Sequence, residues 1–485
     1  MKFDKNLDFS PEELTEYIRQ TGEIITNLYE NKLHRRVFAG KEPDEIISLF
    51  DEALPENGTD IPAMLRTIEK DVIGSATMNV GPRYFGYITG GGNHASILAE
   101  MVSAALNQNN LKWHSSPVST EIEKQVLKWV CSFIGYPETA AGAILDGGST
   151  ANFNCLAVAR KNMAPNFVAD EGMYWAKPMT VYVSTEGHSS FDKAVDMLGL
   201  GKKYLRKIPV DDQFMIRTDL LLSQIKTDRE AGLDPICLIG IAGTTNSGAV
   251  DDLKKLAEIA RAENLWYHVD AAYGGPAAGV SSVGHLFTGM ELADSVVINP
   301  HKWFYVPFEA ACILVKEPDK LRNTFSMIPD YLRSGANESG RTDMMEYQLP
   351  LTKSFKSLKV WMTFKTYGAK KLRELIQADI DKASFLVQEI NRRDHFELLA
   401  PAPLSIVCFR FIHPGMSESE TNRINSEIPY AVEQDGRVFL TGTKINGKSA
   451  LRTCFINPRT TEKDLLLILD TVQDLAYRLL NETKR

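Results

Sequence analysis

The spacing of apolar residues changes along the chain and divides it. Near the start, Ser10-Pro11-Glu12-Glu13 combines a capping serine, a first-turn proline and an acid that completes a capping box. Leu14, Ile18, Ile25 and Leu28 follow near helical spacing, so a helix is expected through Leu28. With further helical segments at 44–54 and 63–72, residues 1–85 read as a helical N-terminal arm that packs on its own chain or on a partner subunit. A longer helix is expected at 120–134. Beyond it, short apolar runs alternate with amphipathic ones: strands at 143–145, 180–183, 204–208, 236–242, 266–269, 296–298 and 311–315, and helices after Ser149 and at 188–198, 219–231 and 253–263. This alternation predicts βα units, a mainly parallel seven-stranded sheet and an α/β fold. Residues 327–348 are polar, carry Tyr331, Gly335 and Gly340 and exceed most ordered loops in length, which suits a mobile lid or simple surface disorder. Helices at 351–368 and 369–393, strands at 405–411, 438–441 and 450–455, and a final helix at 462–480 predict a small α+β domain. The resulting division is 1–85 as the helical segment, 86–370 as the large domain and 371–485 as the small C-terminal domain.

Composition narrows the class. With 485 residues, 44% hydrophobic and 24% charged, the chain can bury a large core. A net charge of −8 argues against general binding of nucleic acid or anionic membranes, because both reward clustered positive charge. Met1-Lys2-Phe3-Asp4-Lys5-Asn6 lacks the apolar centre of a signal peptide, and no uninterrupted apolar run reaches about 18 residues, so a cytoplasmic location is expected. The six cysteines form no CxxC pair, and several lie in apolar runs, which reads as reduced core residues with no metal site.

In a parallel sheet the ligand sits beyond the carboxyl ends of the strands, so the strand exits locate the chemistry. The first exit, Asp146-Gly147-Gly148-Ser149-Thr150-Ala151-Asn152, offers backbone amides and hydroxyls at a helix start, suited to a phosphate; the P-loop pattern is missing. At Ser184-Thr185-Glu186-Gly187-His188-Ser189-Ser190 a histidine opens a helix, where it can stack on a planar group or cap and pack. Gly243-Thr244-Thr245-Asn246-Ser247-Gly248 supplies hydroxyls, or is an ordinary turn. Asp270 leaves the core in Trp266-Tyr267-His268-Val269-Asp270-Ala271-Ala272, a costly place for a carboxylate unless a cation such as a protonated pyridine compensates. The run Ala293–Ile298 ends in Asn299-Pro300-His301-Lys302-Trp303, where burial would lower the lysine's pKa and free its neutral amine for an aldehyde. The order and spacing of these exits over successive βα units spell a site for pyridoxal 5′-phosphate. Tyr84, Phe85 and Tyr87, in the aromatic and glycine-rich stretch 82–92, line a pocket or fill core.

Asn299-Pro300-His301-Lys302-Trp303, His268-Val269-Asp270-Ala271-Ala272-Tyr273-Gly274-Gly275 and Gly187-His188-Ser189-Ser190 together resemble group II pyridoxal-phosphate-dependent amino acid decarboxylases. This family includes aromatic-L-amino-acid, glutamate and diaminobutyrate decarboxylases, and the likeness runs over most of the chain. It implies the transferase fold type I and a homodimer with active sites near the subunit interface. It also implies Lys302, Tyr331 and His188 as catalytic residues: Lys302 binding the cofactor aldehyde, His188 stacking on the ring, and Tyr331 returning a proton to the substrate carbon after carbon dioxide leaves. Gly148 and Ser149 would hold the phosphate, Asp270 would partner the ring nitrogen, Asn299, His301 and Thr244 or Thr245 would contact the ring, and Ala272 would lie below it. Aldehyde-forming relatives tend to carry phenylalanine at the position of Tyr331, so the tyrosine favours simple decarboxylation. The substrate pocket is expected at Tyr87, Ile88, Trp113 and Phe308. Tyr87, Phe308 and Trp303 resemble the aromatic branch, whereas Ile88, Gly90 and Leu111 stand where bulkier side chains are expected, and Lys353 and Ser354 where relatives often carry arginines. The expected reaction is decarboxylation of an L-amino acid, aromatic substrates favoured. The alternatives are an acidic or diamino acid substrate, aldehyde synthesis, or a non-catalytic homologue.

Overall fold

The computed structural model describes residues 7–31, 35–327 and 340–482. All seven strands expected before residue 327 form: β1 (Ala141–Leu145), β2 (Met179–Ser184), β3 (Leu205–Ile208), β4 (Asp234–Ile241), β5 (Trp266–Asp270), β6 (Ser295–Ile298) and β7 (Ala311–Val315). They build one sheet in the order β1-β7-β6-β5-β4-β2-β3. β6, β5, β4, β2 and β3 pair in parallel, while β7 runs antiparallel to both β6 and β1. Two reversals cancel, so β1 points with the parallel strands and six carboxyl ends reach one edge of the sheet.

Successive side chains of each strand enter different apolar layers: Tyr182 packs on one side of the sheet, Val181 and Val183 on the other. Helices Pro117–Ile134, Thr218–Glu230 and Leu253–Ala262 contribute to the first layer, and Gly148–Met163, Ser190–Met197 and Pro318–Phe325 to the second. Burial on both faces is why these strands read as continuous apolar runs without alternation. The sheet is therefore a fully covered platform whose open edge carries the polar exits.

The helical run Ser357–Arg392 is broken at Gly368, where φ is 72° and ψ is 157°. Its first part starts six residues later than the expected 351, because the segment before it is held away by Lys353, described below. A second sheet follows, antiparallel and ordered β10-β11-β9-β8, from β8 (Phe396–Leu398), β9 (Ile406–Phe411), β10 (Thr441–Ile445) and β11 (Lys448–Cys454). Helices Glu418–Asp435 and Glu462–Glu482 cover it. The strand expected at 438–441 is only a single parallel bridge, Tyr84 to Phe439, before β10 begins at Thr441.

Residues 83–91 thread along this smaller sheet. Phe85 lies in its core and exchanges backbone hydrogen bonds with Phe439 and Cys454, and Gly91 N–H donates to Ile456 O at 3.2 Å. The helix Pro11–Asn31 opens with the anticipated capping box: Glu13 N–H donates to Ser10 Oγ, and Ser10 N–H to Glu13 Oε2. Among the described residues, no helix is long and apolar enough to cross a membrane.

Candidate active site

The exits of β1, β2, β4, β5 and β6 wall one open cleft. Lys302 enters it from the short turn Pro300–Trp303 that follows β6. That turn is clamped from behind. Trp303 Nε1 and Tyr305 OH both donate to Asp379 Oδ2, at 3.0 and 2.7 Å, Lys382 Nζ donates to Asp379 Oδ1 at 2.7 Å, and the Trp303 ring stacks on Tyr273 at 5.0 Å. On its other side the backbone of Gly90 presses so closely that a Cβ there would lie 2.5 Å from Lys302 O and 2.9 Å from His301 O. This close approach explains the glycine at 90, and the buried clamp explains Trp303, which is a packing residue and not part of a substrate pocket. Burial lowers the Lys302 pKa, with the negative charge of Asp270 opposing it, so the neutral amine is favoured relative to an exposed lysine.

Asp270, at the end of β5, accepts hydrogen bonds from Asn152 Nδ2 at 3.0 Å on one oxygen and from Ala272 N–H at 3.1 Å on the other. His188 is exposed at the cleft wall, and its Nδ1 accepts from Ser190 N–H at 3.1 Å, which leaves the imidazole proton on Nε2. His301 is buried; its Nδ1 accepts from Ala310 N–H at 3.1 Å, and burial pushes its pKa down to about 3, so it is neutral. Gly147 caps the helix Gly148–Met163 and supplies no side-chain acceptor, so the first N–H groups of that helix are available to an anion.

The donor set fits pyridoxal 5′-phosphate. Asn299 Oδ1 and Glu186 Oε2 are buried without a hydrogen-bond partner, and both residues line the cleft. A side chain at Gly148 would meet Asn299 Nδ2 at 2.8 Å, so the backbone of the helix start is kept bare. An amine for an aldehyde, a carboxylate for a ring nitrogen and unoccupied amides for a phosphate thus share one cavity.

Of the residues singled out in the sequence for the cofactor, Gly148, Ser149, His188, Thr245, Asp270, Ala272, Asn299, His301 and Lys302 line the cleft together. Thr244 does not. It is buried, and its Oγ1 serves the turn that follows, accepting from Ser247 N–H and Ala249 N–H. Tyr331 lies outside the described residues. The expected substrate pocket fares differently: none of its four residues lines the cleft of the single chain. Phe308 is exposed beside it, its ring 4.9 Å from that of His301. Tyr87 is exposed and nearer Phe439, Ile88 packs against the core, and Trp113 is drawn away by a hydrogen bond from Nε1 to Glu121 and by Arg341 over its ring at 4.7 Å.

Lys353 also changes meaning. It is buried and ion-paired with Glu123, with Gln348 Oε1 at 2.9 Å, so its charge is neutralised inside the protein and does not set the charge of the cleft. Sequence reasoning missed Asn152, Glu186, Ile241, Gly243 and Tyr273 in the cleft wall, and Arg452, whose Nε and Nη2 are buried without a partner and whose charge acts on Lys302. Asn152 and Glu186 stood inside exits already singled out, three residues after Ser149 and two before His188. Arg452 had no local signal, since only the packing of the small domain brings it near.

An amine and a carboxylate delivered by neighbouring strand ends, beside a bare helix start, define a pyridoxal-phosphate enzyme of fold type I. More narrowly, the chain belongs to the family described as the pyridoxal-dependent decarboxylase conserved domain, whose profile matches residues 43–412. It is 31% identical over 474 residues to an aromatic-L-amino-acid decarboxylase of Bacillus atrophaeus, covering 97% of each chain, and 30% identical over 486 residues to a phenylacetaldehyde synthase of Petunia hybrida, covering 96% and 95%. The solved structure of Oryza sativa TDC with PLP and tryptamine superposes with a TM-score of 0.93 at 25% identity, over 98% of this chain and all of that one. The protein is a pyridoxal-phosphate-dependent amino acid decarboxylase.

Proposed function

We propose that this enzyme converts an aromatic L-amino acid to its amine and carbon dioxide. The observation that carries the reading is the meeting of Lys302 and Asp270 in one cleft, in a chain whose likeness to an aromatic-L-amino-acid decarboxylase runs almost end to end. Lys302 would hold the cofactor's aldehyde carbon, because burial keeps its amine available. Asp270 would hold the proton of the ring nitrogen, His188 would lie against the ring, and the amides of Gly148 and Ser149 would bind the phosphate. Thr245, Asn299 and His301 would contact the ring, with Ala272 beneath it. Pyridoxal 5′-phosphate bound there supplies an electron sink for the pair released when the carboxylate leaves.

Tyr331 would return a proton to the substrate carbon after carbon dioxide leaves. This supports amine formation over the second reading, aldehyde synthesis, which the likeness to a phenylacetaldehyde synthase keeps in play. Tyr331→Phe, assayed in air-saturated buffer, is expected to retain carbon dioxide release and divert product from amine to aldehyde and ammonia, with dioxygen as the two-electron oxidant reduced to hydrogen peroxide; an unchanged amine yield removes Tyr331 from the mechanism. A cytoplasmic homodimer completes the reading, supported by six free, buried cysteines and by exposed apolar residues on the arm. The deciding experiment incubates a panel of L-amino acids with the purified holoenzyme and identifies products by mass. Amines from phenylalanine, tyrosine or tryptophan are expected. Amines from glutamate, aspartate or diaminobutyrate alone, or aldehyde without amine, would overturn the proposal.

A further inference from the structure

Behind Asp270 the protein buries a row of polar side chains that apolar packing does not require. Ser295 begins β6, His268 lies within β5 and Asn152 sits on the helix Gly148–Met163; all three are at most 2% exposed. Trp266 Nε1 donates to Ser295 Oγ at 2.9 Å, and Ser295 Oγ lies 2.9 Å from His268 Nδ1. His268 Nε2 lies 3.2 Å from Asn152 Oδ1, and Asn152 Nδ2 donates to Asp270 Oδ2 at 3.0 Å and to Ser190 Oγ at 3.1 Å. The two ends fix the direction of the chain, because an indole N–H only donates and a carboxylate only accepts. The Ser295 hydroxyl, having accepted from Trp266, donates to His268 Nδ1; the single imidazole proton then sits on Nε2 and faces Asn152 Oδ1; the amide presents its N–H to Asp270. Burial supports this tautomer by pushing the His268 pKa down to about 4, which keeps the ring neutral.

We propose that Ser295, His268 and Asn152 are positioning residues that form a one-way hydrogen-bond relay, fixing the Asp270 carboxylate in the orientation from which it meets the ring nitrogen of the cofactor. The inference rests on the reading of Asp270 as the ring-nitrogen partner. Each Asp270 oxygen has one fixed donor, Asn152 on one side and the Ala272 N–H on the other, so the carboxylate is held in one rotamer. Each bond along a buried chain polarises the next, so the row acts as one unit on the carboxylate it ends on.

The test separates an effect on the ring nitrogen from general loss of structure. Apoenzyme prepared from the holoenzyme is titrated, by quenching of tryptophan fluorescence, with pyridoxal 5′-phosphate and with its 1-deaza analogue, which has carbon in place of the ring nitrogen. Asn152→Ala is expected to weaken cofactor binding by on the order of tenfold, as for loss of a hydrogen bond to a charged group, while leaving the affinity for the analogue at the wild-type value. Ser295→Ala, one step further from Asp270, is expected to show a smaller loss with the same selectivity, and decides the matter alone if Asn152→Ala does not fold. Equal losses for both ligands, or no loss for either, would overturn the relay. Wild-type enzyme that binds the analogue as tightly as the cofactor would instead overturn Asp270 as the ring-nitrogen partner, and with it the basis of the proposal.

Discussion

Lys302 draws its chemistry from the place where β6 ends. A lysine on an exposed loop stays protonated, whereas burial at this strand exit favours the free amine, so Lys302→Ala is expected to abolish turnover and the visible absorbance of bound cofactor while the circular dichroism of the fold is unchanged. Normal activity in that variant would sink the assignment. His268 carries a second prediction. Its pKa falls from 6.5 to about 4 in the fold, so the unfolded chain takes up a proton that the native chain refuses as pH drops through this window. The stabilising contribution of the neutral ring is complete above pH 6.5 and is lost progressively toward pH 4. Urea unfolding of the apoprotein between pH 7 and 5 should show wild type losing stability faster than His268→Gln, by up to about 1.4 kcal/mol per pH unit; parallel profiles would refute the shift. Lys302, Asp270 and His188 were legible because each lies in a short motif that ends a strand. Glu123 and Arg452 were not, because the lysines they act on stand far away in the chain, and Lys353 took its meaning only from the buried carboxylate it meets.

At the scale of elements, the strands were readable because both faces of the large sheet are covered, and the helices between them because one stripe of each is apolar. Three helices of eight residues or more escaped, among them the short Pro318–Phe325. His94–Leu106 turns Leu98, Met101, Val102 and Leu106 outward, which blurs its apolar stripe, and Glu418–Asp435 holds Pro429, although Ser417 and Glu420 form a capping box at its start. What ties elements to the site is Asp379, beyond the break at Gly368. It accepts from Trp303 and Tyr305, which follow directly on Lys302, and pairs with Lys382. Asp379→Ala would leave two buried donors and a cation without their acceptor, so a loss of about 3 kcal/mol in unfolding free energy is expected from urea titration. A loss below about 0.5 kcal/mol would show that the lysine turn stands without it.

Across the whole molecule, apolar side chains stand on the outside of two helices early in the chain: Leu14 and Ile18 on Pro11–Asn31, and Leu98, Met101, Val102 and Leu106 on His94–Leu106, each between 40% and 55% exposed. Such residues favour burial against a partner, and a second copy of the chain is the proposed one. Leu98→Asp with Met101→Asp should convert a dimer to a monomer in sedimentation velocity; unchanged sedimentation would place the contact elsewhere. A partner surface would also account for a cleft that Tyr87, Ile88 and Trp113 of the same chain leave unlined. The sequence by itself determined the sheet, its polar exits and the cofactor, because apolar periodicity and motifs at strand ends are local properties of the chain. Only the tertiary structure decided that Thr245 and not Thr244 faces the ring site, that Trp303 and Lys353 are sealed inside, and that Asn152 holds Asp270. Those outcomes depend on which distant groups meet when two layers close on one sheet, and spacing along the chain does not encode that meeting in any single segment.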